Sequence, residues 1–184
     1  MNCPNCGAAG LELLPGRTHL RCPYCTSLVF PEPLDEGVVP LDRPHPDACP
    51  ACRRPLVAAG LDGEVVGHCS TCRGMLLSTD HFARVVARRR GGGPTTTLTP
   101  EPVDPRELRR VRNCPRCRRR TETHVYGGGG NAVIDSCERC RLVWLDAGEL
   151  TMLVRHVPER ATIRTEVWDE RSAAPLEEIL RAPR

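Results

Sequence analysis

Apolar residues along this chain come in short bursts rather than the long periodic runs of a large domain. Alternation predicts a strand pair over 11–14 and 18–21 around Pro15-Gly16, and a second over 56–59 and 64–68 around Leu61-Asp62-Gly63. A third covers 121–126 and 132–135, joined by a glycine-rich hairpin tip at 127–131. Met75-Leu76-Leu77 leads into a helical pattern over 79–90 that places Phe82, Val85 and Val86 on one face. Ser78 is the expected N-cap and Gly91-Gly92-Gly93-Pro94 the stop. Asp104-Pro105-Arg106-Glu107 predicts a short capped helix to about residue 112. Asp146 and Glu149, at N-cap and N3, predict another to about residue 156. Trp144, Leu145, Leu150 and Leu153 are expected to form one small apolar patch beside it. Residues 31–47, with proline at 31, 33, 40, 44 and 46, and residues 91–105 read as linkers. Beyond Pro158 the tail carries a strand pattern over 161–168 and a short helix over 176–180.

Composition explains why the bursts are short. The chain has 184 residues, of which 16 are glycine, 18 are proline and only six are aromatic. So few large apolar side chains do not fill an ordinary enzyme core. The 26 basic residues, all arginine, outnumber 23 acids by three. No apolar run approaches a membrane span, and Met1-Asn2-Cys3-Pro4-Asn5-Cys6 has neither region of a signal peptide, so a cytoplasmic protein is expected.

Twelve cysteines supply the missing constraint. They form six C-x-x-C pairs: Cys3/Cys6, Cys22/Cys25, Cys49/Cys52, Cys69/Cys72, Cys114/Cys117 and Cys137/Cys140. Taken two pairs at a time, the intervals are 15, 16 and 19 residues, and no cysteine is left over. This is the spacing of four-cysteine zinc sites, three times in tandem. Two residues between ligands let a tight turn aim both sulfurs at one metal, and proline after the first cysteine (Pro4, Pro23, Pro50, Pro115) stiffens four of these turns. The expected fold is small, metal-stabilised and β-rich: three tandem zinc ribbons, the second and third each followed by a short α-helix. The implied boundaries are ribbon one at 1–30, ribbon two with its helix at 48–90, ribbon three with its preceding basic helix at 106–157, and a tail at 158–184. Three Zn2+, one per ribbon, are expected, and each four-thiolate site carries −2, which turns the formal +3 into about −3. A rubredoxin-like iron site uses the same ligands and stays open on spacing alone, as do redox thiols. His68, beside Cys69, is placed to substitute as a ligand but reads first as a strand residue with no metal role, as do His19, His45 and His124.

Residues 113–150 resemble the transcription factor IIB-type zinc-ribbon family. Cys114, Cys117, Cys137 and Cys140 match its zinc ligands, and Trp144-Leu145-Asp146-Ala147-Gly148-Glu149-Leu150 matches its terminal motif. Residues 48–82 look like a diverged copy, with Leu76-Leu77-Ser78 for Trp-Leu-Asp and His81 for the glutamate. Residues 2–30 resemble a generic zinc ribbon without the terminal motif or a trailing helix. The resemblance implies zinc and a ribbon fold.

A closed four-thiolate site has no open coordination position, so the chain is expected to be a non-enzymatic interaction module, with a protein partner. Arg106, Arg109, Arg110, Arg112, Arg116, Arg118, Arg119 and Arg120, against the single acid Glu107, form the candidate surface for nucleic acid. The alternative is a zinc- or redox-responsive switch in which one ribbon, ribbon one first, loses metal on oxidation.

Overall fold

In the computed structural model, which describes residues 1–91, 103–126 and 132–155, ten strands fall into two antiparallel sheets. Ribbon one is a three-stranded sheet, β1 (Glu12–Leu13), β2 (Leu20–Arg21) and β3 (Leu28–Val29), in that order. The rest is one seven-stranded sheet. It comprises β4 (Val39–Ala48), β5 (Pro55–Leu61), β6 (Glu64–His68), β7 (Met75–Ser78), β8 (Glu122–Val125), β9 (Val133–Cys137) and β10 (Leu142–Leu145). Their spatial order is β4-β5-β6-β7-β10-β9-β8.

Ribbons two and three therefore share a sheet. The seam is the antiparallel pair β7/β10, with Met75 opposite Leu145, Leu76 opposite Trp144, Leu77 opposite Val143 and Ser78 opposite Leu142. Leu76 and Trp144 each stand four residues beyond the last cysteine of their own ribbon, so equivalent positions pair about an internal twofold axis. The period-two alternation of the strands then sorts side chains between two cores. Met75, Leu77, Val143 and Leu145 lie under α1 (Thr79–Gly91) and α3 (Glu149–Arg155), with Phe82, Val85, Val86, Leu150 and Leu153. Leu76, Leu142 and Trp144 point to the opposite face, among the cysteines. The expected single patch of Trp144, Leu145, Leu150 and Leu153 is thus split: only Trp144 packs on the metal side.

Residues 31–47 are not a free linker. From Val39 onward they form edge strand β4, pairing with β5 with register shifts between Pro40 and Pro44 and between Pro44 and Ala48. An edge strand tolerates Pro40, Pro44 and Pro46, because only one side of it pairs in the ladder. Before the strand, a 3-10 turn (Asp35–Gly37) aims Glu36 at α3. The Glu36 carboxylate accepts from the backbone N–H of Gly148 (2.9 Å) and Thr151 (2.8 Å), and Arg89 donates to the Glu36 carbonyl (2.7 Å). A residue over a hundred positions upstream thereby satisfies the orphan donors at the α3 N-terminus.

Ser78 caps α1 as expected, accepting from the His81 N–H at 3.1 Å. The basic helix is shorter than expected: α2 covers only Pro105–Leu108, and Asp104 caps it at 2.8 Å. Ribbon one docks on the sheet through hairpin tips. Gly63, at φ +82°, meets Gly16 so closely that a Cβ would stand 2.4 Å from the Gly16 backbone. No α-helix follows ribbon one. Among the described residues no helix is long and apolar enough to cross a membrane. The predicted glycine-rich tip at 127–131, residues 92–102 of the second linker and the tail patterns lie outside the described residues.

Candidate metal centres

Five of the six C-x-x-C turns share one backbone bond, and in the sixth the Arg141 N–H bonds the Glu138 carbonyl (3.1 Å). In those five the N–H of the residue after the second cysteine bonds the carbonyl of the first, as in Arg53 to Cys49 (2.9 Å) and Arg118 to Cys114 (2.9 Å). In all six that residue is left-handed: Gly7, Thr26, Arg53, Arg73, Arg118 and Arg141 have φ between +52° and +74°. Only one of the six is glycine, so the turn overrides a local preference that sequence reasoning would have used to find it.

The turns bring all twelve predicted cysteines into three groups: Cys3, Cys6, Cys22 and Cys25; Cys49, Cys52, Cys69 and Cys72; Cys114, Cys117, Cys137 and Cys140. Within each group the sulfurs lie within 4.8 Å of one another. Cys3–Cys25 (3.6 Å), Cys6–Cys22 (3.7 Å), Cys49–Cys72 (3.6 Å), Cys52–Cys69 (3.5 Å) and Cys117–Cys137 (3.7 Å) give the edges. A tetrahedron with Zn–S near ~2.3 Å has edges of about 3.8 Å. A disulfide would need about 2.05 Å. The groups have the size of a thiolate tetrahedron, and each fits one Zn2+.

The sulfurs within each group differ: burial pushes the Cys49, Cys72, Cys137 and Cys140 thiols up, while local donors favour the thiolate form that metal requires at others. The Arg119 backbone N–H pulls the Cys117 thiol down to about 7, and the Ser27 hydroxyl and backbone N–H pull Cys25 down to about 5. Shielding differs between ribbons. In ribbons two and three, the cysteines, Leu56, Leu76, Leu142 and Trp144 form one buried cluster. Gly74 makes room for the Trp144 ring, since a Cβ there would stand 2.3 Å from Cζ2. In ribbon one Cys6 is exposed. His68 lies buried in β6 outside the sulfur groups, and His45 accepts the Asp47 N–H through Nδ1 (3.2 Å).

The arginine stretch divides into two sets. Arg110 pairs with Asp146 and Glu149, Arg112 with Asp135 (3.0 Å) and Asp146 (2.9 Å), and Arg116 with Asp47 (2.9 Å). Arg110 and Arg112 are largely buried struts, which takes them out of the expected surface, whereas Arg116 stays at the surface, its side chain 49% exposed and tethered to Asp47. Asp146 likewise does not cap α3 with its side chain. Its carboxylate takes Arg110, Arg112 and the Trp144 Nε1–H (3.0 Å), while Glu149 reaches back to the Asp146 N–H (2.7 Å). Burial works against the Asp146 charge, but Arg112, Trp144 and Arg110 outweigh it and hold the group below the usual carboxylate range. Burial pushes Glu149 up to about 7 despite the Asp146 N–H and Arg110. The other five, Arg106, Arg109, Arg118, Arg119 and Arg120, are exposed.

Fold and sulfur geometry define a zinc-ribbon protein. Residues 48–88, which take in ribbon two and α1, match the transcription factor zinc-finger family, a TFIIB-type zinc ribbon. The match falls on the ribbon whose terminal motif has diverged. No curated protein and no solved structure matches the chain.

Proposed function

We propose that the chain is a non-enzymatic interaction module whose ribbons two and three form one rigid platform for an anionic macromolecule. The reading rests on the five arginines 106, 109, 118, 119 and 120, which stay exposed, while Arg110, Arg112 and the half-exposed Arg116 are held in ion pairs. Fixing Arg110, Arg112 and Arg116 holds the free set in place at low entropic cost. The description of the matching family as a transcription factor zinc-finger supports a macromolecular partner. Closed four-thiolate sites serve this role by holding shape, with no position for substrate.

Nucleic acid is the partner to test first. Contacts from these arginines go to phosphates, so binding should be weakly sequence-dependent. Four to five phosphate contacts give a log–log salt slope of roughly −4 on duplex DNA. Arg118→Glu, Arg119→Glu and Arg120→Glu together should abolish binding, measured by fluorescence anisotropy, with zinc retained. A shallow slope with strong sequence preference contradicts phosphate contact, and no binding at low salt assigns the surface to a protein.

One observation favours a second reading, a redox-responsive ribbon one. Cys6 is exposed and no helix covers the sheet. Two equivalents of peroxide turn its four thiolates into two disulfides and release zinc. Native mass spectrometry under limiting peroxide should show the first zinc leaving from ribbon one. Simultaneous loss of all zinc would contradict it.

A further inference from the structure

Ribbon one leaves open the strand edge that ribbons two and three close on each other. In the β7/β10 seam, Leu76 and Trp144 hold the same place in their ribbons and face one another at the centre. In ribbon one that place belongs to Val29, four residues beyond Cys25, in β3. β3 pairs with β2 on one side, and among the described residues nothing pairs with its other edge.

The remaining sheet edges are guarded in the usual ways. β4 carries Pro40, Asp42, Arg43, Pro44 and Pro46. β8 is flanked by the chain at 110–112, whose carbonyls accept from Thr121 and Thr123. β1 carries Glu12 and turns Leu13 onto Gly60. β3 has no such guard along its length: from Thr26 to Phe30 there is no charge, and Pro31 alone closes the stretch. Its alternation puts Leu28 and Phe30 on one face, 50% and 71% exposed. Their counterparts Met75, Leu77, Val143 and Leu145 are all buried beneath helices that ribbon one lacks.

We propose that β3 pairs with β3 of a second copy of this chain, antiparallel and centred on Val29, repeating between molecules the pairing that β7 and β10 make within one. This register sets Leu28 of each copy opposite Phe30 of the other, and no charged residue lies within the paired stretch. Self-complementarity of this kind is what a twofold interface requires, and it selects a second copy over an unrelated strand. Pro31 has no N–H to give, which ends the ladder and makes the Leu28–Phe30 pairs the main contact.

Sedimentation of the zinc-loaded full chain from micromolar to millimolar concentration tests it. The wild type should show a concentration-dependent dimer. Leu28→Glu with Phe30→Glu places two carboxylates in opposition at each pair and should raise the dissociation constant roughly tenfold or more, with three zinc ions retained. Leu28→Glu with Phe30→Lys places opposite charges there and should restore the dimer. A wild type monomeric throughout, a double-glutamate variant that dimerises as well as wild type, or a glutamate–lysine variant that stays monomeric would overturn the proposal.

Discussion

Cys137→Ser is expected to dismantle ribbons two and three together while ribbon one keeps its zinc. Cys137 belongs to the third sulfur group and ends β9, which pairs with β10. Loss of that metal removes stabilisation of about 10–16 kcal/mol on the scale of isolated zinc-finger peptides, more than the net stability of most domains. The damage does not stop at ribbon three, because β10 is also the neighbour of β7, and Trp144 packs with sulfurs of both groups. The two trailing helices rest on one shared core. Hydrogen exchange should therefore lose protection across β5, β6 and α1 as well as β8, β9 and β10. Protection retained in β5, β6 and α1 would mean that ribbon two stands alone.

Arg112→Met should also weaken the platform, by less than the loss of a zinc site, although Arg112 sits in a stretch that reads as a basic surface. Its guanidinium lies between Asp135, 1% exposed, and Asp146. Removing it leaves a buried carboxylate supported, among the described residues, by the Thr123 hydroxyl alone. Stranding one member of a buried pair costs about 3–5 kcal/mol. Adding Asp135→Asn, which removes the stranded charge, should recover part of that loss. Arg118→Met, at an exposed residue, is the control and should cost about 0.5 kcal/mol or less. Denaturant unfolding of the zinc-loaded proteins measures all three. Equal stability of the Arg112 and Arg118 variants would contradict the strut assignment.

Much of the site was legible because metal spacing is a local signal. The six cysteine pairs, the hairpins between them, and the helix carrying Phe82, Val85 and Val86 follow from spacing and period. What escaped was non-local. A proline-rich edge strand and a proline-rich linker have the same composition, and only the partner β5 distinguishes them. Ion pairs such as Arg116 with Asp47 span 69 positions, so charge density along the chain overstated the free surface. Glu36 gives no sign that it caps a helix beginning at Glu149. The seam itself had one readable hint: Leu76 and Trp144 stand at equal offsets from Cys72 and Cys140, in apolar strands too short to be stable alone.

The central claim is that three sulfur groups hold three zinc ions and thereby hold the fold. Native mass spectrometry of protein prepared in zinc tests it most directly. The account predicts a dominant species with three zinc ions, one for each group of four cysteines. A dominant species with one zinc or none, or with the mass loss of disulfides at these cysteines, would contradict it.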